Sequence, residues 1–164
     1  RLRIEPMRLR NPWSLLQSVR HFSIAVETYA EDGPRVSHLG IGRLQVEHAT
    51  SATASTLIWR ESGRWTSGPL AGLSFRNTTS WRQVPGRPEL ALSHLRRGAQ
   101  APTFLVTLVP GPSGAWVARE PHACGPDLYY AVLEWGARNL CLSWDVKSPS
   151  DPYRLRLEAR PPKS

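Results

Sequence analysis

Four side chains able to do chemistry fall within eight residues, His122, Cys124, Asp127 and Tyr129, in the run Pro121-His122-Ala123-Cys124-Gly125-Pro126-Asp127-Leu128-Tyr129. A thiol next to an imidazole is a nucleophile with its base, provided the two come within hydrogen-bond reach. The same residue types also ligate metals, but a structural zinc takes four ligands. His122 and Cys124, two apart, share one face of a strand, and Gly125-Pro126 then breaks that strand before Asp127. The other histidines, His21, His38, His48 and His94, show no paired spacing. A haem would need an axial ligand such as histidine. Only His94 is a candidate, and no motif supports it, so neither a metal nor a cofactor is expected. The bland reading of the cluster is that His122 and Asp127 bond to backbone where a strand begins.

The elements that must position these residues are short and numerous. Fifteen prolines and twelve glycines are spread along 164 residues, a punctuation that suits an all-β domain with many turns. Asn11-Pro12 starts a helix over about 12–20, with Asn as cap and Pro in the first turn. From His21 the apolar period changes to two. Strands are predicted at 22–26, 39–47, 56–61 and 73–82, with a turn within 63–72. They continue at about 89–96, 103–109, 115–119, 127–135, 139–147 and 153–160. Roughly nine or ten strands and no second helix predict an antiparallel up-and-down β-barrel with a short N-terminal helix, a sandwich being the alternative. A single domain over 12–160 is expected, between a basic tail at 1–11 and a short tail at 161–164.

Strand parity groups the polar residues. Glu61 shares a face with Leu57 and Trp59. Asn77 and Trp81 share one with Leu73, Phe75 and Thr79. His94 and Arg96 share one with Leu90 and Leu92, and Asp127 and Tyr129 share one with Ala131, Leu133 and Trp135. If these faces point inward, the barrel has an apolar half and a polar half. A buried charge costs several kcal/mol unless paired. Glu61, Arg96 and Asp127 are therefore expected to pair with one another or to meet a ligand. The candidate ligand-binding set is Glu61, Asn77, Trp81, His94, Arg96, His122, Asp127 and Tyr129.

Charge adds a second candidate surface. The chain has 21 Lys and Arg against 13 Asp and Glu, and only Lys147 and Lys163 are lysines. Arginine's planar fork suits phosphates and carboxylates. Arg1, Arg3, Arg8 and Arg10 at the start, and Arg154, Arg156 and Arg160 on one outward face of the last strand, form a candidate surface for an anionic partner such as RNA, another polyanion or an acidic protein. Solvated surface charge is the plain alternative. The basic first ten residues fit the neighbourhood of an organelle transit sequence. Two cysteines without a Cys-x-x-Cys fit a reducing compartment, so an intracellular site, mitochondrial or another organelle matrix, is expected. No apolar run reaches the length of about 18–20 residues that spans a bilayer as a helix.

Three segments resemble the uncharacterised family called domain of unknown function 6314. They are Phe75-Arg76-Asn77-Thr78-Thr79-Ser80-Trp81-Arg82, Leu90-Ala91-Leu92-Ser93-His94-Leu95-Arg96-Arg97-Gly98 and His122-Ala123-Cys124-Gly125-Pro126-Asp127-Leu128-Tyr129. The strand Thr56-Leu57-Ile58-Trp59-Arg60-Glu61-Ser62-Gly63 is similar to a fourth family segment, with Trp59 at its aromatic position. The resemblance implies a calycin-like β-barrel and no established reaction. The chain departs from the family pattern at Ser148-Pro149-Ser150-Asp151-Pro152-Tyr153, where a glycine and a lysine are missing. If that lysine serves an anion site in relatives, the chain has lost it.

The first functional reading is a non-catalytic accessory or structural subunit, docked in a multi-subunit assembly through its arginine-rich tails and surface. The alternative is a barrel that binds a small anionic or amphipathic molecule. An enzyme using His122, Cys124, Asp127 and Tyr129 comes third. The barrel interior discriminates: if its own side chains fill it, the ligand reading fails.

Overall fold

The computed structural model describes residues 11–30 and 32–163. One helix, α1 (Trp13–Ser18), precedes eleven strands among the described residues. These are β1 (His21–Ala30), β2 (Gly33–Thr50), β3 (Ser55–Ser67), β4 (Ser74–Gln83), β5 (Leu90–His94), β6 (Thr103–Pro110), β7 (Trp116–Ala118), β8 (His122–Cys124), β9 (Asp127–Trp135), β10 (Leu140–Lys147) and β11 (Tyr153–Arg160).

Each strand pairs antiparallel with the next through β7, then β7 with β9, β9 with β10, β10 with β11, and β11 with β1. The result is a closed ten-stranded antiparallel barrel, with β8 as a short extra strand on β9 alone. The wall has one seam. β6 pairs with β7 only over Leu108–Pro110, followed by a single bond from Arg119 N–H to Thr107 O of 2.8 Å. No described backbone bond joins Thr103–Val106 to β8.

Alternation selects the inside. Phe22, Ile24, Leu57, Trp59, Leu90, Leu92, Leu133, Leu140 and Leu142 are buried while their strand neighbours are more exposed. Helix α1 closes one end. Its Leu16 and the following Val19 are fully buried, and the Trp59 indole N–H donates to the Leu16 carbonyl at 3.0 Å. Trp59 in turn packs on Trp81 with ring centroids 5.0 Å apart. That carbonyl is one of the groups a helix end leaves unsatisfied, so the bond both pins the plug and serves the indole.

Some boundaries differ from the sequence reading. The helix starts one residue later than expected, and Asn11 Oδ1 accepts from Trp13 N–H at 2.8 Å, with Pro12 in the cap position. β3 runs past its expected end at Glu61, through Gly63 to Ser67, and the turn expected within 63–72 occupies 68–72. Gly63 does not break the strand because it lies opposite Gly42, and both glycines are needed by the aromatics beneath them. A Cβ on Gly42 would come 2.4 Å from Phe22 Cζ and from Ser62 O; one on Gly63 would come 2.4 Å from Phe75 Cζ. Backbone cannot yield at such distances, so Gly42→Ala should lose about 1–3 kcal/mol of stability, read as a lower urea midpoint at unchanged slope.

Candidate functional site

Beyond the layer of Trp59 and Trp81 the barrel is hollow. A cavity of about 440 Å³ lies between β1, β3–β6 and β8–β11. Its walls are largely apolar: Ile24, Trp59, Phe75, Leu92 and Leu105 on one side, Leu142, Trp144, Leu155 and Leu157 on the other. Exposed Cys124 also lines it, so the cavity reaches solvent on the β8 side.

The polar groups come from a few register positions. Glu61 and Asn77 face one another across β3 and β4, and Asn77 Nδ2 donates to Glu61 Oε2 at 2.5 Å. Glu61 is the one buried charged side chain among the described residues, at 6% exposure. Burial pushes its pKa up to about 7, against the opposing pull of the Asn77 bond. Thr79 stands next along β4, opposite both Trp59 and His94, and its Oγ1 is buried without a hydrogen-bond partner. Toward the mouth lie His94, His122, Tyr129 and Tyr153. His122 and Tyr129 are register partners whose rings meet edge-on at 6.0 Å. The Tyr153 phenol is pushed up to about 12 by burial first, then by Tyr129 and the Asp127 and Asp151 carboxylates, which keeps it a neutral donor.

Of the eight candidate ligand residues, Glu61, Asn77, His94, His122 and Tyr129 line this cavity. Three do not. Arg96 is exposed, because β5 ends at His94 and the chain turns at 95–99, with Ala99 N–H bonded to Arg96 O at 2.9 Å and Gly98 at φ 78°. Parity had been carried past the end of its strand. Trp81 points inward but lies in the closed end, fully buried with its Nε1 unpartnered. Asp127 sits at the β8–β9 hairpin, outside the cavity lining, with Oδ1 buried and unpartnered. The expected pairing among Glu61, Arg96 and Asp127 is therefore absent: Glu61 is held by Asn77 alone among the described side chains.

The chemical cluster divides as well. His122 and Cys124 lie on β8, Asp127 starts β9, and Gly125 at φ 59° occupies the first central position of the two-residue hairpin between them, the place where primed turns take glycine. Among the described residues no three His, Cys, Asp or Glu side chains gather as a metal site. Cys124 and Cys141 are both free.

Trp144 and Tyr153 are cavity residues that the sequence reading passed over. The signal was present. Leu140, Leu142 and Trp144 alternate, and placing Arg154, Arg156 and Arg160 outward puts Tyr153, Leu155 and Leu157 inward. On the outer surface Arg154 lies 3.7 Å from Asp145 and Arg156 lies 3.6 Å from Glu158, so these two do not form a free anion surface. Arg1, Arg3, Arg8 and Arg10 fall outside the described residues.

Comparison with known proteins agrees with this fold. The model of a family of unknown function, DUF6314, matches residues 9–159. No curated protein matches the chain in sequence. Among solved structures, the S-type phycobiliprotein lyase CPES from Guillardia theta is similar, with a TM-score of 0.65 over 99% of each chain at 9% identity. At that identity what is shared is the fold.

The Glu61 carboxyl gives the site a pH signature. Its pKa is higher in the folded protein, about 7, than the ordinary carboxyl value of 4.5 that holds in the unfolded chain, so folding takes up a proton between those values. Its contribution is intact below pH 4.5 and is lost as pH rises through about 7, a penalty of about 3 kcal/mol. Glu61→Gln, which keeps the shape and carries no charge, should match the parent protein near pH 4.5 and exceed it by about that amount at pH 8, as read by urea unfolding at both values.

Proposed function

This chain belongs to the family of unknown function DUF6314, and we propose that it is a barrel that binds a small amphipathic molecule. The observation that carries this reading is the hollow half of the barrel: about 440 Å³, walled by tryptophan, phenylalanine and leucine, with a few convergent polar groups. Ligand sites in proteins have this size and make-up. The walls favour a compact, mostly apolar body. Deep in the wall, Glu61, Asn77 and the unpartnered Thr79 hydroxyl favour a group that donates hydrogen bonds.

No lysine or arginine lines the cavity, and the segment where the family pattern has a lysine lacks it here. Both facts favour a neutral or cationic head group over an anionic one. A buried carboxyl left without a cation costs several kcal/mol in its charged form, so it selects against a second negative charge. The protein that shares the fold is, by its name, a phycobiliprotein lyase, which is compatible with a binding barrel but names no ligand for this chain. The accessory-subunit reading draws less support. Arg1–Arg10 lies outside the described residues, and Arg154 and Arg156 are engaged with carboxylates on the barrel wall.

The test uses N-phenyl-1-naphthylamine, a neutral apolar probe with one N–H donor. Its fluorescence should rise on addition of the protein. Leu142→Trp, which places an indole in the cavity, should weaken uptake at least about tenfold, the loss of roughly 1.4 kcal/mol or more of binding. Absence of uptake, or uptake unchanged by Leu142→Trp in a protein with native near-ultraviolet circular dichroism, would sink the reading.

A further inference from the structure

A second concave feature lies on the outer wall, away from the cavity mouth. Register places Arg160 opposite His21, His21 opposite Arg43, Arg43 opposite Ser62, and Ser62 opposite Arg76. This is one straight row across β11, β1, β2, β3 and β4, five neighbouring strands. At about 4.8 Å per strand it is about 19 Å long. Arg64, two residues along β3 from Ser62, adds a fourth guanidinium beside the row. All of these line a groove of about 530 Å³, whose floor is the Gly42 and Gly63 backbone over Phe22 and Phe75.

The charge of this groove has one sign. No carboxylate lines it, and among the described residues none of Arg43, Arg64, Arg76 and Arg160 takes part in an ion pair. Elsewhere among the described residues Arg35, Arg60, Arg119, Arg154 and Arg156 each face an acid, while Arg82, Arg87, Arg96, Arg97 and Arg138 take part in no ion pair either; what distinguishes the groove is that four guanidinium groups gather in one concave place. His21 separates Arg160 from Arg43 and Ser62 separates Arg43 from Arg76, so neighbouring guanidinium groups of the row stand two strand spacings apart, about 9.6 Å, with Arg64 diagonal to Arg43 and Arg76. The nearest acid on this face, Glu158 opposite Ser23, is turned to Arg156, which leaves the four guanidinium groups to an external anion. The length of the row exceeds what one phosphate group can span. Serine hydroxyls of Ser23, Ser62 and Ser74 interleave with the guanidinium groups, giving a line of donors for a ligand whose edge is all acceptors.

We infer that this groove binds the phosphodiester backbone of a single-stranded nucleic acid, its repeated phosphates engaging Arg160, Arg43, Arg64 and Arg76. A phosphodiester chain offers charged acceptors at regular intervals and no donors along that edge, which the arginine fork matches. A peptide would also bring N–H donors, which guanidinium groups, having no acceptor, cannot receive. Three of the guanidinium groups stand in one row with Arg64 beside it, one narrow band, where a duplex would present two lines of phosphate separated by a groove.

The test is fluorescence anisotropy of a fluorescein-labelled oligouridylate of about 12 nucleotides, titrated with the full chain from about 50 to 200 mM salt. Log affinity should fall linearly with log salt, at a slope of about −0.7 for each phosphate engaged. Arg43→Gln with Arg76→Gln should weaken binding about tenfold or more at mid-range salt and flatten the slope by about 1.4. Arg154→Gln with Arg156→Gln removes the same charge outside the groove and should change affinity by less than about twofold, a scale set by diffuse attraction alone. Near-ultraviolet circular dichroism and N-phenyl-1-naphthylamine uptake report that each variant keeps the barrel. The inference fails if the oligonucleotide does not bind, if both double variants lose affinity equally, or if an oligoglutamate of equal charge competes as well as unlabelled RNA. That last result would assign the groove to an acidic protein.

Discussion

Eight consecutive residue pairs, from His21 opposite Arg160 to Thr28 opposite Tyr153, join the first strand to the last. This ladder gives the sheet an inside. An open meander of these strands would leave two edges unpaired and one apolar face wet. Once closed, every second residue is committed to the interior, and the number of strands fixes how much interior there is. Ten strands enclose more space than leucine and valine fill. The plug helix and the tryptophans Trp59, Trp81 and Trp116 fill one end. No comparable mass reaches the other, and the cavity is what remains.

That division explains why a carboxyl can sit at Glu61. In a filled core its burial would be unanswered, whereas here it borders an open space and keeps Asn77 as donor. The same closure acts outward. Strands that must curve tightly over Phe22 and Phe75 need glycine at positions 42 and 63, and the side chains flanking those glycines, Arg43, Ser62 and Arg64, are brought to one groove. Inner aromatics and outer arginines are thus two results of one bend.

Much of this architecture was legible in the residues. The strands at Thr103–Pro110, Asp127–Trp135, Leu140–Lys147 and Tyr153–Arg160 stand out through alternation and the breakers between them. Parity also grouped Glu61, Asn77, His94 and Tyr129 on inward faces. Parity carries no depth, however. It could not separate Trp81, which lies in the closed end, from Thr79 two residues nearer the mouth. It also held Arg96 in place after β5 had ended at His94, because Gly98 marks that a turn comes and not the residue at which the strand stops. The arginine row was out of reach for another reason. Arg43, Arg76 and Arg160 are far apart in the chain, and only the register of four separate strand pairings brings them into line.

The seam between β6 and β8 sets how this cylinder deforms. A wall bonded all round behaves as a hoop, and widening it means breaking a ladder somewhere on the circumference. A wall slit along part of its length opens by bending instead, with no bond lost. The slit runs beside Leu105, His122 and Cys124, at the cavity, and its lower limit is the Arg119–Thr107 bond. The mouth can therefore yield sideways while the tryptophan end, ringed by unbroken ladders, keeps its diameter.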